Sequence, residues 1–443
     1  MKRLVYASLR WFNSIQHFAG ERLTMAGKIT LGAAGAAALA GVDTNQTLTY
    51  QAFSFLWALL AVGYAGSLAF RARVAVEREM PRYATAGEPF SYRVTVSNLG
   101  ARALAGVTLA ERFPDPRPGY AEWRAAREPG ERRRNWFDRN AGYFRWQWLI
   151  ERRLPRPAGE TALPALAAGE HGTVRLAMTP RRRGRIELAG LTLARRDPLG
   201  LVKGLARVAA PARIVALPRR YRVPQLALPG RRKFQQGGVA RVASVGDSEE
   251  FIGLRDYHPG DPLHRVHWKS FARSGRPIVK EFQDEFFERH ALVLDTGRAE
   301  GEDVAFEDAV AVAASFVYTI DTLECLLDLL FVGDRVHSYT AGRGQLRADR
   351  MLEILAGVRA SSPAEFDALA RAVLGQAGRL SSCIVILAGW DERRRRCVES
   401  LMGLGLEVRA LLVCLPEERP TEPPAWLLAL HPGEIEAGLA RLK

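Results

Sequence analysis

The sequence predicts a multi-domain chain: an N-terminal transmembrane helical hairpin, an all-β sandwich, and an α/β domain on a parallel sheet. Three observations carry this. Tyr50–Phe70 is a run of 21 residues in which only Gln51 is strongly polar. From Arg73 to about Arg220, short apolar–polar alternations are punctuated by Gly and Pro. Beyond Leu292, apolar strand-like runs alternate with amphipathic helical ones. A chain of 443 residues has room for two or three cores.

The first domain is read as residues 1–72. At about 1.5 Å per residue, Tyr50–Phe70 matches the roughly 30 Å hydrocarbon core of a bilayer. Ile29–Val42 is shorter and rich in Ala and Gly, a length it shares with signal-peptide cores. Basic residues settle the reading toward a hairpin with spans at about 29–42 and 50–70. Lys2, Arg3, Arg10, Arg22 and Lys28 precede the first run, and Arg71, Arg73 and Arg78 follow the second. The linker Asp43–Thr47 has no Lys or Arg, so both termini and the soluble domains are expected in the cytoplasm. Residues 1–24 place Leu4, Val5, Leu9, Trp11, Phe12, Ile15 and Phe18 among basic residues. They read either as an interfacial helix or as a weakly ordered leader.

Residues 73–220 are read as the sandwich, antiparallel and immunoglobulin-like. Phe90–Asn98, Val107–Leu109, Gly172–Met178, Gly184–Leu188 and Arg213–Leu217 show the period-two spacing of strands with one buried face. Asp197-Pro198-Leu199-Gly200 carries the chemistry of an Asx or type I turn. Residues 113–157 interrupt the pattern. Trp123, Trp136, Phe137, Tyr143, Phe144, Trp146 and Trp148 are interleaved there with nine of the segment's eleven arginines, among them Arg124, Arg134, Arg145 and Arg153. Such density suits a membrane-interface or partner surface, through amphipathic rings and cation–π contacts. A plug for one end of the sandwich is the alternative.

Residues 221–290 read as a linker that carries a dense segment, and 291–443 as the α/β domain. Leu292–Asp295 opens the sheet. Phe306–Ile320 has a helical apolar face, Leu326–Val332 and Ile384–Leu387 are buried strands, and helical patterns fall near 347–358, 364–374 and 391–402. Val408–Leu415 closes the series, so the sheet is parallel and covered on both faces.

The net charge of +15 is unevenly placed. Basic and acidic side chains number 5 and 2 in residues 1–70, 34 and 14 in 71–235, and 24 and 32 in 236–443. A strongly basic region directly after the membrane segment suits an anionic membrane surface or a protein partner. No nucleic-acid module accompanies the arginines, so no nucleic-acid partner is expected. Cys325, Cys383, Cys397 and Cys414 include no Cys-x-x-Cys pair, and most sit in apolar runs. That favours reduced core cysteines and a reducing compartment.

The dense segment runs Gly253-Leu-Arg255-Asp-Tyr257-His-Pro-Gly260-Asp261-Pro-Leu-His-Arg265-Val-His-Trp268-Lys269-Ser-Phe-Ala-Arg273. It resembles the signature of the bacterial family known as "domain of unknown function 58". Arg181–Gly184 and Arg196–Leu201 are similar to two turns of the same family. The resemblance implies a membrane hairpin, a β-sandwich and a von Willebrand factor A-like domain. It also implies the cytoplasmic face of a bacterial inner membrane and a MoxR-type AAA+ ATPase as partner. Arg255, Tyr257, Gly260, Asp261, Arg265, Trp268, Lys269 and Arg273 are the candidate partner-binding or interdomain residues. Pro259-Gly260-Asp261 supplies a tight turn and Trp268–Arg273 a short helix. The charged members are expected to form hydrogen bonds around Tyr257 and Trp268. They then serve either to staple the sandwich to the α/β domain or to dock another protein.

A-like domains often hold a divalent cation through Asp-x-Ser-x-Ser and a later Thr and Asp, hard oxygen ligands that suit Mg²⁺. Here the position reads Asp295-Thr296-Gly297-Arg298-Ala299, with Asp391 near the later Asp. The serines are gone and Arg298 sets a cation beside the site. The expectation is therefore a degenerate site without Mg²⁺ or another cofactor, in which Asp295 pairs with Arg298 or caps the following helix. His258, His264 and His267 lie close in sequence but lack an acidic or thiol partner at zinc spacing. No nucleophile elbow, zincin motif or P-loop is present. The favoured reading is a non-enzymatic, membrane-anchored interaction module. The alternatives are an enzyme using Asp256, Asp261 and His267 in the 255–273 segment, and a membrane-tethered nucleic-acid binder.

Overall fold

The computed structural model describes residues 2–40, 47–128, 130–224, 234–235, 250–283, 286–298, 303–320, 325–342 and 347–442. The hairpin linker at 43–46, the end of the first expected span at 41–42, and Ala299 lie outside the described residues. The chain divides into two compact units, Met1–Arg219 and Arg220–Lys443.

The first unit opens with three helices, α1 (Lys2–Arg22), α2 (Met25–Ala40) and α3 (Thr47–Leu68). Over Leu48–Leu68, 21 residues, α3 is long and apolar enough to cross a membrane; α2 is a shorter apolar helix of 16 residues. The strands that follow are β1 (Val74–Glu79), β2 (Tyr83–Thr85), β3 (Phe90–Asn98) and β4 (Val107–Arg112). The insertion then forms α4 (Tyr120–Ala125), α5 (Trp136–Ala141) and α6 (Tyr143–Arg153). Strands β5 (Arg156–Pro157), β6 (Thr161–Ala162), β7 (His171–Thr179), β8 (Gly184–Arg196) and β9 (Lys203–Leu217) complete the unit.

Two sheets result, with strand orders β1-β3-β7-β5 and β2-β9-β8-β4-β6. Alternation decides what lies between them. Val94, Val96, Leu176 and Met178 from the first sheet share one core with Leu109, Leu191 and Leu193 from the second. The long β8–β9 ribbon changes register after Leu188. Gly190 makes that possible, because its φ of 155° brings the backbone to where a Cβ would stand 2.0 Å from the Val208 carbonyl oxygen. One polar bridge joins the sheets. Arg78 donates to both carboxylate oxygens of Glu111 at 3.1 and 3.0 Å, and the Tyr92 hydroxyl donates to the same carboxylate at 2.6 Å. Burial and the facing carboxylate push the Tyr92 hydroxyl pKa up.

The Asp197 turn does more than reverse the chain. Its carboxylate accepts from the backbone N–H groups of Leu199 and Val202 at 3.0 and 2.7 Å, as an Asx turn should. The same turn seats both apolar helices. Thr24, just before α2, donates its N–H to the Leu201 carbonyl at 3.0 Å and its hydroxyl to the Gly200 carbonyl at 2.6 Å. A Cβ on Gly27 of α2 would stand 2.1 Å from the Leu201 carbonyl oxygen, and one on Gly63 of α3 3.1 Å from Asp197 Oδ2. The start of α2 and the end of α3 thus meet one turn, so the two helices form an antiparallel hairpin.

The rings of the insertion divide into a buried set and an exposed one. Trp123, Trp146 and Leu149 are buried in a cluster of their own with Val5, Tyr6 and Leu9 of α1, apart from the sandwich core. Trp136 and Phe137 of α5 stand exposed. No plug of the sandwich forms there, because α1 supplies the apolar face that these rings need.

The second unit contains β10 (Phe234–Gln235), β11 (Glu250–Asp256), α7 (Trp268–Ser274), β12 (Ile278–Gln283) and β13 (Phe286–Leu294). It continues through α8 (Asp303–Thr319), β14 (Cys325–Val332), β15 (Val336–Ala341), α9 (Ala348–Gly357) and α10 (Phe366–Gln376). Last come β16 (Ser382–Leu387), α11 (Glu392–Gly403), β17 (Glu407–Val413), β18 (Leu427–Leu430) and α12 (Ile435–Leu439). The main sheet has the order β15-β14-β13-β16-β17-β18, all parallel except β15, with β10 paired to the start of β13. The order reverses between β13 and β16, which makes the carboxyl ends of these two strands the switch point of a doubly wound sheet. The sheet opens at Phe286, earlier than Leu292, and extends past Leu415 into β18. All four cysteines are buried and free.

Candidate functional site

Two arrangements in the second unit gather the residues that the sequence singles out. The first is at the switch point. Asp295 follows β13 directly and is 1% exposed. Its Oδ1 accepts from the Gly297 N–H at 2.8 Å, and its Oδ2 accepts from the Ala388 N–H at 3.1 Å and from Arg394 Nε at 2.7 Å. Arg394 lies in the first turn of α11, where Asp391 is the N-cap and accepts from the Arg394 N–H at 2.9 Å. The guanidinium also donates to Asp391 Oδ2 at 2.6 Å and to the Gly297 carbonyl at 2.9 Å. One arginine therefore bridges the two carboxylates, Asp295 and Asp391, on which a cation site would depend.

This corrects the pairing expected from the sequence. Arg298 turns away from Asp295 and forms a two-oxygen ion pair with Glu418 at 3.0 and 2.8 Å, while also donating to the Ala388 carbonyl. Asp295 caps no helix, since α8 begins only at Asp303. Thr296 spends its hydroxyl on the Val332 carbonyl at 2.7 Å and on Ser361 at 3.0 Å. These residues do not fit a divalent cation. A guanidinium occupies the carboxylate face, and the Thr296 hydroxyl is committed to the Val332 carbonyl. Among the described residues, no group of three or more His, Cys, Asp or Glu side chains is arranged to hold a metal.

Burial pushes the Asp295 carboxyl above its ordinary range, against the pull of Arg394 and two backbone N–H groups. Burial alone would lower the Arg394 pKa, but the facing Asp295 and Asp391 carboxylates raise it above its usual value. Beside this network lies a cavity of about 290 Å³ lined by Gly297, Arg298, Pro363, Gly389, Trp390, Arg394 and Glu418. Its size is at the lower edge of small-ligand sites, and its charged walls neutralise each other. Arg394 and Glu418 escape a reading of motifs because neither belongs to the Asp-x-Ser-x-Ser pattern. The one signal was the i, i+3 spacing of Asp391 and Arg394 at a helix start.

The second arrangement is the signature hairpin. β11 and β12 pair antiparallel, with Arg255 opposite Val279 and Asp256 opposite Ile278. Between them the chain turns at Gly260, whose φ of 111° is open to glycine, and Asp261 N–H bonds the His258 carbonyl at 3.0 Å. Arg255 grips both oxygens of Asp261 at 2.7 Å, and the His258 N–H adds a third donor at 2.9 Å. These donors, Arg255 foremost, hold the Asp261 carboxyl down to about 2. The loop returns through a short 3₁₀ turn at Leu263–Arg265, Val266 bridges Val279, and the His267 N–H bonds the Ile278 carbonyl at 2.8 Å.

Several other side chains of the segment face solvent. Trp268 is 62% exposed and meets Phe271 edge-on at 6.0 Å between ring centres, and Leu254 and Leu263 are exposed as well. Lys269 and Arg273 are exposed and enter no ion pair among the described residues. Of the lattice expected around Tyr257 and Trp268, the structure shows the Arg255–Asp261 pair with His258. Tyr257 is half-buried and tied through its N–H to the Pro277 carbonyl at 3.0 Å. Arg265 is half-buried, its N–H bonded to the Pro262 carbonyl at 3.0 Å. The candidate acid–base groups also separate. Asp261 is held by Arg255, whereas His267 contacts Ser270 through Nδ1 at 2.7 Å.

Residues 253–390 match the family described as "Protein of unknown function DUF58", a stretch that opens on the signature and ends beside Asp391. Through this segment the chain is similar to that family. It is similar to the "Uncharacterized protein YeaD" of Bacillus subtilis (strain 168), with 23% identity over 159 residues. That alignment covers 35% of this chain and 39% of the relative, so the chain spans well under half the length of the curated protein it matches. The ASH / PapD-like domain of human CEP192 (PapD-like domain 7) aligns with 33% of this chain and 84% of its own, at 12% identity and a TM-score of 0.16.

Proposed function

We propose that this protein is a non-enzymatic, membrane-anchored interaction module that serves as an adaptor for a MoxR-type AAA+ ATPase in the assembly or maturation of other proteins. The observation that carries the reading is the Trp268–Phe271 pair, held outward on a hairpin whose own charges are locked by Arg255 and Asp261. An exposed aromatic pair with Leu254 and Leu263 nearby suits a protein partner better than solvent. Lys269 and Arg273 add positive charge for an acidic surface on that partner.

The strand order of the second unit, with an antiparallel edge and a switch point at Asp295, supports a von Willebrand factor A-like fold in which Arg394 stands where such domains often carry a cation. The paired sheets of the first unit support an immunoglobulin-like sandwich. In this reading α3 crosses the bacterial inner membrane with α2 as the returning arm, and basic residues at both ends keep the soluble units in the cytoplasm. Many arginines of the sandwich are engaged by carboxylates, as in Arg78–Glu111, Arg134–Glu128, Arg153–Glu122 and Arg181–Glu151, which leaves less free charge for nucleic acid. The test is capture of the detergent-solubilised chain with and without ATP. An AAA+ ATPase should accompany the natural chain and be lost with W268A/F271A. Its equal retention by that variant would defeat the reading.

A further inference from the structure

Helix α1 has two apolar faces, and the protein covers one of them. Val5, Tyr6 and Leu9 pack into the cluster of Trp123 and Trp146, with the Tyr6 ring 5.4 Å from both Tyr120 and Trp146. The Tyr6 hydroxyl donates to the Pro118 carbonyl at 3.0 Å. Leu4, Trp11, Ile15 and Phe18 recur at steps of seven, four and three residues, which places them on one stripe turned away from that cluster. They are 75%, 67%, 44% and 51% exposed. A helix designed only to brace the insertion needs no second stripe.

Charge and position indicate what covers it. α1 carries Lys2, Arg3, Arg10 and Arg22 against the single acid Glu21. Its last residue is fixed in depth, because the Arg22 guanidinium lies over the Phe18 ring at 5.4 Å and over Tyr64 of α3 at 5.6 Å. Tyr64 is in the final turn or so of the apolar run that ends at Leu68. If α3 spans a bilayer, the end of α1 is therefore held at the headgroup level. An apolar stripe bordered by cations at that depth has the composition of an interfacial helix.

We propose that α1 is an interfacial helix whose Leu4–Trp11–Ile15–Phe18 stripe is seated in an anionic phospholipid surface while its opposite stripe grips the insertion. The sandwich unit is then held to the bilayer at two places, through the α2–α3 hairpin at the Asp197 turn and through α1. The inference rests on the reading that α3 crosses a membrane.

The test is nitroxide labelling of the full chain in vesicles of phosphatidylcholine and phosphatidylglycerol. The four natural cysteines are buried and leave the introduced ones to react. Labels are placed at W11C and I15C, with F55C in α3 as the lipid reference and R185C on the sandwich surface as the water reference. Labels at 11 and 15 should collide with oxygen more than with a water-soluble nickel chelate, as at 55 and opposite to 185. Nickel access at 11 and 15 with lipid access at 55 would overturn the proposal while leaving the anchor intact. Nickel access at 55 as well would remove the anchor and the proposal together. Shielding of 11 and 15 from both reagents would mark a protein contact and also overturn it.

Discussion

Arg394 Nε stands 2.7 Å from Asp295 Oδ2, with both side chains almost wholly buried at the switch point of the sheet. The chain supplies its own cation there. Arg394→Met strands a buried carboxylate, a loss of about 3–5 kcal/mol. The sign with pH follows from the direction of the shift. Burial already pushes the Asp295 carboxyl up, and removing Arg394 pushes it further. A group raised in the folded state favours folding at low pH, so the deficit should shrink as pH falls through the carboxyl's folded-state pKa. Urea denaturation of the detergent-solubilised variant across pH checks both size and slope. Mg²⁺ should leave the melting temperature of the natural chain unchanged.

Asp261 gives a second, opposite titration. Arg255 and the His258 N–H hold its pKa at about 2, so the pair should survive acidification well below the ordinary carboxylate range and break only as pH approaches that value. Carboxyl carbon NMR reads this directly. In Arg255→Gln the Asp261 titration should move up toward the usual value of about 3.9.

The Asp197 turn predicts a joint that fails locally. Asp197→Ala leaves the Leu199 and Val202 N–H groups without their acceptor, a cost of about 1–3 kcal/mol. Gly27→Val drives a side chain into the Leu201 carbonyl and should loosen the start of α2 while the sandwich core stays folded. Hydrogen exchange should rise at Thr24–Lys28 in both variants, with strands β3 and β7 remaining protected.

Thiol chemistry should follow burial. Burial pushes the Cys397 thiol up to about 11 and raises Cys383 and Cys414 as well. The native chain should react slowly with a disulfide reagent at neutral pH, and four thiols should appear on denaturation.

What the sequence made legible were its long periodic features. The apolar run to Phe70, the alternation of Phe90–Asn98 and the helical face from Phe306 each mark an element that the structure contains, because periodicity depends on a single buried face. The edges were harder to see. β15 (Val-His-Ser-Tyr-Thr-Ala) is half-exposed, and β18 is only four residues long, so neither has the apolar run of a central strand. The site was least legible where partners are distant in sequence. Asp295 and Arg394 are 99 residues apart, and the adjacent Arg298 was the natural but wrong guess for a counterion. The signature announced its importance by composition, yet Trp268 faces outward while Arg255 and Asp261 do the holding, a division that residue types alone do not reveal.

Capture of an AAA+ ATPase is to be measured for the natural chain, for W268A/F271A and for R394M, all in detergent. Loss with W268A/F271A, at unchanged melting temperature, is the predicted result and would place the docking surface on the signature hairpin. R394M serves as the destabilised control and should lose capture only in proportion to its unfolded fraction. Undiminished capture by W268A/F271A, or no ATPase with the natural chain with or without ATP, would rule out docking through the signature hairpin.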